Sequence, residues 1–159
     1  MEEILEILEK NSRFTEEQIT VMLNKSAGEV RAAIKKFEEE GVILAYNTII
    51  NWEKTNRESV TALIEVKVTP QRGLGFDKVA ERIYAYPEVK SCYLMSGGFD
   101  LTVIIEGKTM KEVALFVAEK LAVLENVTST ATHFVLKKYK DSGTVFEGKP
   151  KDDREVVFV

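Results

Sequence analysis

Apolar residues in the opening part of the chain fall at helical spacing between two repeated start signals. Thr15-Glu16-Glu17-Gln18 and Ser26-Ala27-Gly28-Glu29 each set a hydroxyl three residues ahead of a carboxamide or carboxylate. That spacing lets the two side chains satisfy each other's free backbone amides, so each predicts a helix start. Val30, Ile34 and Phe37 give the second capped helix an apolar stripe, and Leu23-Asn24-Lys25 leaves only a short turn before it. With an earlier helix ahead of Thr15, the pattern predicts three short helices in helix-turn-helix order. Gly41 ends the third as the residue after its cap. Val42 to Ile50 reads as a strand or β-rich connector, and Asn51 to Arg57 as the polar boundary that follows.

From Ser59 the period changes. Val60, Ala62, Ile64, Val66 and Val68 alternate with Thr61, Leu63, Glu65, Lys67 and Thr69, which is the signature of a strand. Pro70 to Gly75 breaks it. Phe76, Val79, Ala80, Ile83 and Tyr84 then predict a helix stopped by Pro87. Val89 to Ser96 and Phe99 to Glu106 read as two strands joined by Gly97-Gly98, a two-residue hairpin turn if both take positive φ. Met110, Val113, Ala114, Val117 and Leu121 predict another helix, and Val127 to Lys138 a long final strand.

The order βαββαβ predicts an α+β ferredoxin-like domain, a four-stranded antiparallel sheet with helices on one face. The other face is then bare. Assigning Ile64, Val66, Leu101 and Val103 to it, the pattern implies burial against a second copy, since so large an apolar patch is rarely left in water. The resulting plan is a helix-turn-helix domain over 1–45, a connector over 46–58, the sheet domain over 59–140 and a tail over 141–159. The tail, with its Lys149 to Arg154 charge run and apolar Val156 to Val159 end, reads as a segment that adds a strand to a sheet edge.

Composition narrows the class. With 159 residues and 45% hydrophobic content the chain can bury a real core, and no apolar run reaches the length of a membrane span. The expected setting is the cytoplasm, with no membrane partner. A lone Cys92 in an apolar stretch reads as a small hydrophobe, without metal spacing or a disulfide partner. The net charge of −4 sits entirely in residues 1–45, where ten glutamates face six lysines and arginines. A nucleic-acid reader would favour the opposite balance, so position has to compensate. Arg31 and Lys35, one turn apart, are the cations this reading leaves free for a groove.

A capped helix-turn-helix, a β connector and a βαββαβ domain in this order resemble the Lrp/AsnC (feast/famine) family of transcriptional regulators. The resemblance runs from about Met1 to Lys140. It rests on Glu39-Glu40-Gly41-Val42-Ile43, Pro87-Glu88-Val89, Ser96-Gly97-Gly98-Phe99-Asp100 and Thr130-x-Thr132 through Val135-Leu136. It implies a winged-helix-like DNA-binding domain joined to a domain similar to the RAM and ACT types, and a dimer assembled further into a tetramer or octamer. It also implies a small-molecule effector, commonly an amino acid, bound between subunits near the glycine hairpin. Two positions depart from the family pattern. Gly98 stands where the hairpin usually carries an acid, and Ala33 where the third helix usually carries a base.

Candidate sites follow. For double-stranded DNA, Ser26, Ala27, Gly28, Arg31, Ala32 and Lys35 form the outward side of the third helix. Its small residues permit close approach and its cations reach bases or phosphates, with Lys25 and Lys36 as supporting phosphate contacts. A merely solvated packing face is the alternative. For a zwitterionic effector, Gly97 and Gly98 expose amides to a carboxylate, Asp100 takes an ammonium group, and Thr130 and Thr132 donate hydroxyls from a neighbouring strand. A simple turn flanked by strand-forming threonines is the alternative here. No catalytic residue, metal ligand or resident cofactor is expected, and His133, the single histidine, reads as structural. Two other functions use the same plan. One is an enzyme resembling siroheme decarboxylases, for which Arg72, Arg82 and His133 are the available groups; the other is a metabolite-binding module without DNA binding.

Overall fold

The computed structural model describes residues 1–69 and 75–147, which fall into two compact units, Met1–Ile49 and the residues from Ile50 onward. In the first unit, α1 (Glu2–Lys10), α2 (Glu16–Leu23) and α3 (Ala27–Glu39) surround a core of Ile4, Leu8, Ile19, Val30 and Ala33. Both capping boxes form. The Thr15 hydroxyl accepts from the Gln18 amide while Gln18 Oε1 accepts from the Thr15 amide, and Ser26 and Glu29 repeat the exchange. The α2–α3 turn is tight because Asn24 takes a left-handed conformation, φ 50°, which a short polar side chain tolerates. At the end of α3, Gly41 (φ 68°) lets the Gly41 and Val42 amides donate back to the carbonyls of Glu38 and Phe37. This pair of hydrogen bonds closes the last turn.

The stretch Val42 to Ile50 does not form the expected strand. A strand needs a partner ladder, and among the described residues none pairs with it, so Val42, Leu44, Tyr46, Ile49 and Ile50 stand exposed. Tyr46 has one anchor within this unit, its hydroxyl donating to Glu38 Oε1 at 2.8 Å.

The second unit carries β1 (Val60–Val68), α4 (Asp77–Tyr84), β2 (Val89–Leu94), β3 (Leu101–Gly107), α5 (Met110–Phe116) and β4 (Val127–Phe134). The sheet order is β2-β3-β1-β4, antiparallel throughout, as a ferredoxin-like domain requires. Helices α4 and α5, the latter continued by a wide π turn over Val117–Leu121, cover one face. Their Val79, Ile83, Val113, Phe116 and Leu121 pack on Ala62, Ile64, Val66, Leu101, Val103 and Ile105. Met110 and Ala114 of the predicted stripe are exposed instead, and Phe116 takes the inward position.

The two sheet faces are therefore reversed from expectation. Ile64, Val66, Leu101 and Val103 lie under the helices, each at most 1% exposed. The open face instead carries the alternate set, with Leu63 opposite Ile104, Glu65 opposite Thr102, and His133 opposite Leu63. Because side chains alternate strictly, the two faces exchange as sets. The last strand stops at Phe134 rather than Lys138. A small hairpin follows, β5 (Lys140–Asp141) and β6 (Thr144–Val145), turned by Ser142 and Gly143 at positive φ. Pro70 to Leu74 and the tail from Gly148, with the edge strand expected of it, lie outside the described residues.

Candidate functional site

Helix α3 is positioned from both sides. Val30 and Ala33 are buried, which turns Ala27, Gly28, Arg31, Ala32 and Lys35 outward as one exposed face, with Lys36 at its margin. Ser26 is committed to the cap, so its hydroxyl serves the helix start. A Cβ at Gly28 would meet nothing within 4 Å, so this glycine is not demanded by packing in the chain itself. Ala33, set down above as a missing base, is 1% exposed and belongs to the core.

The expectation that Arg31 and Lys35 stand free is corrected by the geometry. Arg31 Nε donates to Glu16 Oε2 at 2.8 Å across the α2–α3 turn. Lys35 pairs with Glu39 and Lys36 with Glu40, each one turn along α3, and Lys25 pairs with Glu3. The acid excess is thus spread as counter-ions over the outward cations. The exposed lysine pairs, at 3.5 to 3.9 Å, are worth little each and are screened by salt, so a polyanion displaces them at small cost. Glu16 went unnoticed in the sequence because it sits fifteen residues from Arg31; only the turn brings them together.

The effector candidates are spread over the sheet, Gly97, Gly98 and Asp100 at the β2–β3 turn and Thr130 and Thr132 two strands away on β4. Met95 donates its amide to the Asp100 carbonyl, so the β2–β3 connection is a four-residue turn, Ser96 to Phe99, in place of the two-residue hairpin. Only Gly97 of the two glycines takes positive φ, at 140°. Asp100 is largely occupied: its Oδ2 accepts from the Val68 amide at 2.7 Å, where β1 slips register against β4, and its own amide donates to the Val66 carbonyl. A carboxylate foreseen as an ammonium ligand thus serves first as a clamp on β1. Thr130 and Thr132 sit opposite Val66 and Ile64 on β4, which neighbours β1 and not β3. They share the helix-covered side, half-buried. Grooves of about 520 and 200 Å³ lie at the other end of β3, around Gly107 and Glu112, and none of the five candidates lines them.

The groups named for an enzyme do not converge. His133 is on the open sheet face, 3.3 Å from Glu65, whereas Arg82 is on α4 across the sheet, and Arg72 lies outside the described residues. Cys92 packs half-buried against the core, and burial pushes its thiol pKa up, away from reactivity. No helix among the described residues is long and apolar enough to cross a membrane.

Three helices, the second and third capped and the third with an outward recognition face, followed by a helix-backed four-stranded sheet, define a two-domain regulator of the helix-turn-helix class. Residues 2–43 match the winged helix-turn-helix DNA-binding family, and residues 61–145 match the Lrp/AsnC ligand binding domain. The chain is 54% identical to the uncharacterized HTH-type transcriptional regulator YugG of Bacillus subtilis, over 98% of this chain and 94% of that protein. It is 30% identical to the HTH-type transcriptional regulator LrpA of Pyrococcus horikoshii, over 86% and 94%. Among solved structures, the transcriptional regulator NMB0573 of Neisseria meningitidis, crystallised with L-Met, matches with a TM-score of 0.68 at 25% identity, covering 87% of this chain and 88% of that one. The chain belongs to the Lrp/AsnC family of DNA-binding transcriptional regulators.

Proposed function

We propose that this protein regulates transcription by laying the outward face of α3 in the major groove and that an amino acid bound by the sheet domain adjusts its grip. The observation that carries the first half is the pair of complete capping boxes around a tight turn. They fix α3 rigidly with small residues and cations outward and its apolar stripe inward. Arg31 reads bases; Lys35, Lys25 and Lys36 contact phosphates; Ala27, Gly28 and Ala32 allow close approach. The amino-acid effector is supported by the L-Met complex of the Neisseria relative. Gly97 and Gly98 offer amides to the carboxylate, and the unclaimed Oδ1 of Asp100 accepts the ammonium group, with Thr130 and Thr132 as further hydroxyl donors from β4.

A second copy covers the open face through Leu63, Ile104 and Ala131, giving a homodimer that assembles further into a tetramer or octamer in the cytoplasm. A site completed between copies fits candidates that lie away from the grooves around Gly107 and Glu112. The protein acts as a regulator and not as a catalyst. Full-length protein incubated with sheared genomic DNA should retain a small set of fragments sharing a two-fold sequence, and amino acids screened by thermal shift should raise its melting temperature selectively. Retention of all fragments alike, or none, overturns DNA reading; a flat amino-acid screen overturns the effector assignment.

A further inference from the structure

The geometry points to Glu16 as a specificity-determining residue that fixes how Arg31 meets a base; this rests on the reading that α3 enters the groove. Arg31 is exposed, 69% of its side chain open to solvent, and an unrestrained arginine there samples many rotamers. Ordering so long a side chain on binding costs conformational entropy. Here the guanidinium is already held, and the atom that holds it matters. Glu16 Oε2 takes the Nε–H, at 2.8 Å, and leaves the terminal Nη pair free.

A guanidinium can meet a purine edge side-on, through Nε and one Nη, or end-on, through its two Nη groups. With Nε occupied, only the end-on fork remains. That fork matches the O6 and N7 acceptors of guanine, whereas adenine presents a donor where O6 would be. The tether is also well placed to persist. Glu16 is the first residue of α2, where its negative charge complements the helix N-terminus, and Thr15 and Gln18 cap that end independently of it. The neighbouring Glu17 lies in the field of the same guanidinium. Glu16 touches no base in this arrangement and acts as a positioning residue, exchanging some attraction for phosphate against a preset orientation.

The test uses full-length protein and a duplex chosen by selection from a randomised pool. Affinity is measured for that duplex and for versions with each base pair replaced in turn, with wild type, Glu16→Gln, Glu16→Asp and Arg31→Lys. Glu16→Gln should lose about tenfold discrimination at one G·C pair, the same pair that Arg31→Lys affects. Its binding to unrelated duplex should hold or rise, because an acid near the phosphates has gone. Glu16→Asp keeps the charge but shortens the reach, and should lose the same discrimination. In the Arg31→Lys background, Glu16→Gln should add nothing at that pair. Full discrimination by both Glu16 variants, or losses at other base pairs only, or an undiminished effect without Arg31, would overturn the inference while leaving α3 as the reader. A wild-type protein that selects no duplex removes the inference and that reading together.

Discussion

At single residues, the caps and tethers decide how firmly α3 is presented. Ser26 serves two amides through one hydroxyl and the facing Glu29 carboxylate, so Ser26→Ala should cost about 1 kcal/mol of stability in the first unit. Urea unfolding of the full chain checks it. Hydrogen bonds from the Ser26 side chain and backbone hold Glu29 below the usual carboxylate range. A depressed folded pKa gives stability that is complete above the unfolded value of about 4.3 and fades as pH falls through the folded one. Melting curves should therefore show the wild type losing stability in acid faster than Glu29→Gln does.

Tyr46 gives the opposite sign. Although nearly half of the side chain is exposed, partial desolvation around the hydroxyl, with the Glu38 carboxylate as its acceptor, pushes its pKa up to about 12. Its tether to α3 is intact below the unfolded value of about 10 and is lost as pH rises through the folded one. Ultraviolet titration should show one late tyrosinate that disappears in Tyr46→Phe; a full set of tyrosines titrating near their ordinary value would contradict the tether.

Among the elements, helices and strands were readable because each buries one face and its apolar residues keep the matching period. The hairpin and the connector were not. Gly97-Gly98 suggested a two-residue turn, but the Met95–Asp100 bond closes a wider one, and a Gly pair does not itself fix loop length. Val42 to Ile50 has strand composition without a strand beside it among the described residues. Neither the Glu16–Arg31 tether nor the Asp100 clamp shows in local sequence, since each spans a long separation. The clamp changes how the effector site should be probed. Asp100→Ala strands the part-buried Val68 amide, at about 1–3 kcal/mol, whereas Asp100→Asn keeps an oxygen acceptor for it. Thermal unfolding should show Asp100→Ala well below wild type and Asp100→Asn close to it. Loss of the amino-acid response in Asp100→Asn then reports binding rather than collapse of the turn.

In the whole molecule, the choice of sheet face and the balance of charge decide what the surface offers. Strict alternation on β1 and β3 required one face to be covered and the other open, yet did not say which. Hydrophobic periodicity is symmetric until helices choose a side, and here Ile64 and Val103 went under them while Leu63 and Ile104 stayed out. An acid placed in that open face should block pairing by burying an unmatched charge. Ile104→Glu is expected to sediment as a folded monomer at concentrations where wild type is dimeric or larger; a wild-type monomer at all concentrations would remove this interface. The net charge of −4 was the strongest sequence-level objection to DNA binding. The structure answers it at the outward face, where each lysine of the candidate set has an acidic neighbour that a phosphate can replace.

The most direct test of the central claim is fluorescence anisotropy of a retained genomic fragment titrated with wild type and Arg31→Ala, against a scrambled fragment of equal length. If α3 reads the groove through Arg31, the substitution weakens binding to the selected fragment by about 1–3 kcal/mol and leaves the scrambled fragment nearly unaffected. Equal affinity of wild type for both fragments, or an Arg31→Ala protein that still prefers the selected one in full, would contradict it.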